Sequence, residues 1–141
     1  MRLEVSRKAD LATRTLLELA RSGRRSKSAE LATAVGTTPG YLSQVIAPLA
    51  SHGWVQSVPG PTGGYAATVN LDDLSVLEVI EAVEGPTDTG RCVLEDRPCG
   101  LGDTCALHVP WTRARTSLLA ELAETPLSSL AEPPATAEEA S

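Results

Sequence analysis

The run Gly36-Thr37-Thr38-Pro39 constrains the fold of this chain more than any other. Glycine stops helices by adopting the left-handed conformation that other residues resist. Threonine caps the next helix, and proline suits its first position, where no N–H is needed. The run therefore reads as the turn between two helices. Before it, Ser28 is expected to cap a short helix, Ala29 to Val35. After it, Leu42, Val45, Ile46 and Leu49 recur at i, i+3, i+4 and i+7, a clean amphipathic stripe. The opposite face holds Gly40, Ser43, Gln44 and Ala47, small or polar and free of acid. Two short helices on a tight turn make a helix-turn-helix. Pro48 is expected to kink or end the second helix, leaving Thr38 to Ala47 intact and Leu49 to His52 as a separate turn.

Upstream, Lys8 to Arg21 predicts a helix, with Ala9, Ala12, Leu16, Leu19 and Ala20 on one face and Ser6 as its cap. Downstream, Trp54–Val58 and Tyr65–Val69 alternate like strands around the tip Pro59-Gly60-Pro61-Thr62-Gly63-Gly64. The expected fold class is mainly α with a small β-hairpin: a winged helix-turn-helix plus a long C-terminal dimerisation helix. Asn70 or Asp72 is expected to cap a helix running to about Glu84, with Val76, Ile80 and Val83 on its apolar side. A last long helix runs from Pro110 to Glu124, with Trp111, Ala114, Leu118, Leu119 and Leu122 along one face. Too little chain remains to cover that stripe, which suggests a homodimer seam. Pro126 to Leu130 suits a final turn. The domain reading is 1–84 DNA-binding head, 85–108 cluster-binding loop, 109–131 dimerisation helix and turn, and 132–141 a disordered tail rich in Pro, Ala, Glu and Thr.

Charge is segregated. Residues 1–60 carry eight Lys/Arg and four Asp/Glu, a balance of +4, and residues 61–141 carry four and fourteen, a balance of −10. Phosphate responds to local positive surface, not to the mean charge, so the acidic overall balance does not exclude DNA. Aromatic residues are only Tyr41, Trp54, Tyr65 and Trp111, which argues against base-stacking modules for single strands. No apolar run approaches membrane-spanning length and the first ten residues are charged, so a cytoplasmic protein is expected. Neither a phosphate loop nor a nucleophile–base pair points to an enzyme.

Chemistry concentrates in residues 86–108. Cys92, Cys99 and Cys105 are the only cysteines, separated by six and five residues and interrupted by Gly90, Pro98, Gly100 and Gly102. An odd count argues against a disulfide framework. Zinc sites favour tighter pairs. An iron–sulfur cluster takes thiolates and tolerates wider spacing, so spacing favours a cluster, 2Fe–2S or 4Fe–4S. Three thiolates leave a fourth position. His108 is nearest in sequence, Asp96 and Asp103 share the loop, and Asp10 could reach in from a partner chain.

Together these marks resemble the IscR/NsrR family of bacterial winged-helix iron–sulfur regulators. The resemblance rests on the opening Met1-Arg2-Leu3, Ala9-Asp10-Leu11-Ala12, Tyr41-Leu42-Ser43-Gln44, the wing Gly60-Pro61-Thr62-Gly63-Gly64-Tyr65, Glu78-Val79-Ile80 and the three-cysteine loop, from Met1 to about Leu130. It implies a homodimer on operator DNA with one cluster per subunit, held by Cys92, Cys99 and Cys105. His108 matches the histidine ligand of the IscR branch, and Asp10 matches the aspartate that NsrR-type members lend across the dimer. Pro59 stands where many relatives carry a basic wing residue, and Ser43 where IscR has an acidic reader, so neither of those contacts carries over. The expectation is a repressor-type regulator responding to nitric oxide, redox state or iron and cluster supply. Gln44 and Ser43 would read bases. Thr37, Thr38, Tyr41, Thr62 and Gly63 would lie against the backbone. The competing readings are an iron–sulfur electron carrier or cluster-transfer protein, and a zinc-binding DNA-binding protein.

Overall fold

The computed structural model describes residues 1–100, 102 and 104–131. Its elements run α1 (Arg7–Ser22), α2 (Ser28–Val35), α3 (Pro39–Ser51), β1 (Val55–Val58), β2 (Gly64–Ala67), a 3-10 turn (Leu71–Asp73), α4 (Val76–Glu84), α5 (His108–Glu124) and a second 3-10 turn (Leu127–Ala131). The mainly helical fold with one antiparallel hairpin is the expected one. The tail reading for residues 132–141 and the candidate ligand Asp103 lie outside the described residues.

Helix α1 starts where Ser6 accepts a hydrogen bond from the Ala9 N–H and stops at Gly23 in the left-handed conformation. It crosses α2 and α3, and their apolar stripes make one core. Leu11, Leu16, Leu31, Leu42, Val45 and Leu49 are all buried there. Each fully buried leucine contributes about 1.5–3 kcal/mol. Thr15 is the buried polar exception, and its hydroxyl donates to the Leu11 carbonyl at 2.7 Å.

Three local readings are corrected. The cap of α2 is the backbone of Lys27, with no side-chain bond, because the serine at 28 is already the first helical residue. Helix α3 continues through Pro48 to Ser51. The ring sacrifices one hydrogen bond, but Leu49 on the next step is buried in the core, and that burial offsets the loss. Asn70 caps only the short 3-10 turn, accepting from the Asp72 N–H. Helix α4 has its own capping box, Ser75 and Glu78, each side chain bonding the other's backbone N–H.

The hairpin pairs Val55 with Ala67 and Val58 with Gly64. Ser26 adds a third rung: its N–H donates to the Tyr65 carbonyl at 2.9 Å and its carbonyl accepts from Tyr65 at 2.8 Å. The wing is thereby anchored to the loop between α1 and α2. The second 3-10 turn docks back on the head, where the Leu127 N–H donates to the Leu74 carbonyl at 2.7 Å and Leu127 is fully buried. Helix α5 packs on α4, but none of its residues is buried.

Candidate nucleic-acid interface and metal centre

The structure presents two separate sites. The first is the outer face of α3. Gly40, Ser43, Gln44 and Ala47 are all exposed, as their opposition to the buried stripe requires. Thr38 is the N-cap: its hydroxyl accepts from the Tyr41 N–H at 3.2 Å. No acidic residue sits in the first turn, so the positive end of the helix dipole is uncompensated, a favourable place for phosphate. Ser43 already donates to the Gly40 carbonyl at 2.8 Å, which leaves its lone pairs to accept. Gln44 makes no such bond and stands free at the surface among the described residues. Tyr41 is half-buried against the core, and Thr37 is half-buried beside the cap.

Thr62 is exposed at the wing tip, but Gly63 is buried. A Cβ on Gly63 would lie 1.9 Å from the Val58 carbonyl oxygen, and one on Gly64 would lie 2.5 Å from that of Ser26. Both glycines are therefore required by the backbone approach that closes the wing. The Gly-Gly pair was visible in the sequence as a turn, but the close approach of Ser26 was not.

The second site is the cysteine loop. A short antiparallel ribbon builds it: the Cys92 N–H donates to the Arg97 carbonyl at 2.8 Å, and the Cys99 N–H donates to Gly90 at 2.9 Å. This ribbon sets Cys92 and Cys99 side by side. Cys105 comes from the turn that opens α5, where its carbonyl accepts from the His108 N–H at 3.1 Å. The three sulfurs lie within 4.8 Å of one another. His108 Nδ1 is 3.3 Å from Cys99 Sγ. Gly100 takes a left-handed φ directly beside the His108 ring, 3.6 Å from where its Cβ would be.

The loop is fastened to α5 by the Arg115–Asp88 ion pair at 3.2 Å, a contact that sequence spacing alone did not indicate. Arg91 pairs with Asp96 and Arg97 with Glu95 across the ribbon. Asp96 is thereby turned to a guanidinium and not to the sulfurs. A cavity of about 210 Å³ opens beside the thiols, with Trp111 and Thr112 on its α5 wall.

The thiols are not equivalent. Backbone N–H groups of Leu94 and Glu95 pull Cys92 below the usual thiol range. Burial pushes Cys105 upward, reinforced by its Cys92 neighbour. Cys92 is thus the readiest thiolate, and thiolate is the form that binds metal. The donor set fits a soft metal centre: three free thiols gathered by backbone bonds, an imidazole at one corner, and glycines where the backbone must come close.

Asp10 lies elsewhere. It sits in the first turn of α1 and pairs with Arg14 at 3.1 Å, outside the thiol group within this chain.

Comparison with known proteins agrees with both sites. The Rrf2 family model, described as an iron-dependent transcriptional regulator, matches residues 5–133. An HTH-type transcriptional regulator of Mycobacterium tuberculosis is 33% identical over 132 residues, covering 92% of this chain and 81% of that protein. The regulator IscR of Sodalis glossinidius is 39% identical over 83 residues, 59% of this chain, and the match spans about half of that relative's length. Among solved structures, CymR, described as the global cysteine regulator of B. subtilis, superposes with a TM-score of 0.73 at 25% identity, covering 92% of this chain and 97% of that one. T. potens IscR gives 0.70 at 25% identity, covering 91% and 85%. These relatives are transcription regulators, not enzymes. A winged helix with an open recognition face, a three-cysteine loop, and a family match across nearly the whole chain lead to one conclusion: this chain belongs to the Rrf2 family of transcriptional regulators.

Proposed function

We propose that this regulator binds operator DNA as a homodimer and that its affinity is set by an iron–sulfur cluster, one per subunit. The observation that carries the reading is the convergence of Cys92, Cys99 and Cys105 on one spot beside His108. The three thiolates would hold the cluster, with His108 as fourth ligand or, alternatively, the carboxylate of Asp10 from the opposite protomer. A cluster supplies a redox-active, chemically labile centre that nitric oxide, oxidant or iron shortage can alter. His108 opens α5 and Cys105 lies in the turn before it, so ligand geometry there bears directly on the helix that faces a partner. A ligand at that corner which favours one orientation of α5 over another gives the differential contact a switch requires. We place the protein in the cytoplasm, where thiols stay reduced; among the described residues no helix is long and apolar enough to cross a membrane.

The dimer is supported by the unburied α5 and by an apolar groove of about 520 Å³ lined by Met1, Leu3, Trp111, Ala114 and Leu118. Such a groove on an otherwise polar surface matches a self-complementary seam. Two α3 helices would then lie about 34 Å apart on a near-palindromic site. Gln44 would read adenine, Ser43 would accept from a base, and Thr37, Thr38, Tyr41, Thr62 and Gly63 would line the phosphates. Repression follows where such a site overlaps a promoter.

A single soft ion such as Zn²⁺ is the second reading. A Zn–S bond of about 2.3 Å places tetrahedral sulfurs roughly 3.8 Å apart, and three sulfurs within 4.8 Å suit that span. Anaerobic purification with an absorption spectrum and iron, sulfide and zinc counts decides. Iron with comparable acid-labile sulfide and a visible charge-transfer band supports the cluster. One zinc per chain without sulfide overturns it in favour of the ion, and no metal overturns both.

A further inference from the structure

A cavity of about 500 Å³ lies away from both sites, between the end of α1, strand β2 and the last 3-10 turn. Its floor is apolar, with Ala66, Ala67 and Val69, and Arg24 and Arg25 stand on its rim. Neither arginine side chain has a hydrogen bond or ion pair among the described residues, whereas Arg21 beside them is already held by Glu18. Ala131, the last described residue, is itself part of the cavity wall. The next ten residues are Glu-Pro-Pro-Ala-Thr-Ala-Glu-Glu-Ala-Ser, with Glu132, Glu138 and Glu139 as their charged members and the rest small or apolar.

We propose that segment 132–141 of the same chain docks in this cavity, its alanines and prolines on the apolar floor and its glutamates against Arg24 and Arg25. Charge and place both favour this occupant. The segment enters at the cavity's own edge, so its effective concentration there is high. Its first eight residues reach at most about 29 Å, ample to cross the opening and return to the rim. A small-molecule site would instead converge buried polar groups on its ligand. Here the polar groups are rim guanidiniums over an apolar floor, and among the described residues no buried side-chain polar atom lacks a partner.

Docking has a consequence, which rests on the DNA-binding reading. Arg24 and Arg25 immediately precede Ser26, the residue bonded to the wing strand at Tyr65. Glutamates held there lower the positive potential of the basic half of the molecule, so the tail tempers general affinity for phosphate.

The test compares the full-length wild type with a full-length Glu132→Gln/Glu138→Gln/Glu139→Gln variant by amide NMR, without DNA, at low and high salt. Docking predicts shifts at Arg24, Arg25, Ala66 and Ala67 that diminish in 0.5 M salt, roughly. The same comparison in an Arg24→Gln/Arg25→Gln background should show no such shifts. Differences confined to residues 127–131 overturn the proposal. So do shifts that vanish on dilution, which would assign the site to another copy's tail. Citrate producing the β2 shifts while the tail change produces none would assign it to a free anion and also overturn it. A separate arm measures random duplex DNA. The tail variant should bind roughly threefold more tightly at low salt, and not in the arginine-free background. A gain that persists without the arginines means that the tail repels DNA directly and overturns the coupling, whereas the NMR arm judges docking by itself.

Discussion

Leu16, Leu42, Val45 and Leu49 in the head are fully buried, whereas not one of the seventeen residues of α5 is. The head, from α1 to α4, is held by a continuous apolar core with capped helices. The cysteine loop and α5 are held by a two-bond ribbon, an Arg115–Asp88 ion pair and packing on α4 alone. The first region folds on the free energy of its own burial. The second borrows stability from what it binds: metal at the thiols and a second chain along α5. A sensor benefits from that division, because the part that changes state is the part with little intrinsic stability to overcome.

Breaking the core should have the largest effect. Leu42→Ala is expected to cost about 2–5 kcal/mol in denaturant unfolding. A Cys92→Ala/Cys99→Ala/Cys105→Ala variant should leave the unfolding midpoint of the metal-free protein nearly unchanged while abolishing metal content. If the metal-free protein loses as much stability from the cysteine changes as from Leu42→Ala, the two regions are not separable as described.

Next comes the seam. Leu118→Glu/Leu122→Glu should give monomers in sedimentation and weaken binding to a palindromic duplex, with the head's unfolding preserved. A variant that remains dimeric places the interface elsewhere.

Within the head, Gln44→Ala should lose about 1–3 kcal/mol at one base position per half-site. Binding curves on single-position duplex variants would show it, and an equal loss on random DNA would make Gln44 a backbone contact. The smallest effect expected is that of Thr38→Ala, about 1 kcal/mol of stability from the lost cap of α3.

The same contrast explains what was legible beforehand. Thr38-Pro39, Gly36 and the Leu42–Leu49 stripe announced α3 because capping and periodicity are local and are written in adjacent residues. Pro48 misled for the reason that makes it informative: a local rule lost to the burial of Leu49 on the far side of the ring. Ser28 lost its capping role by one residue, within the ordinary uncertainty of a helix end. The Ser75–Glu78 capping box was present in the sequence as Ser-x-x-Glu and would have placed the start of α4 correctly.

In the cysteine loop, residue types pointed to metal, but the geometry did not follow from spacing. The pairing of Cys92 with Arg97 and of Cys99 with Gly90 is a backbone matter with no side-chain pattern behind it. The docking of Leu127 against Leu74 is likewise a long-range contact that no local period reveals.

The account's central claim is that occupancy of the thiol site sets operator affinity. The direct measurement is titration of one duplex, selected in vitro from a random library by the anaerobically purified protein, with that protein, its chelator-stripped form and the Cys99→Ala variant, at a fixed salt concentration. The account predicts a change of at least about tenfold between the metal-loaded protein and the other two, or about 1.4 kcal/mol, with the two metal-free forms alike. Equal affinities for all three, on a head with unchanged unfolding, would contradict it.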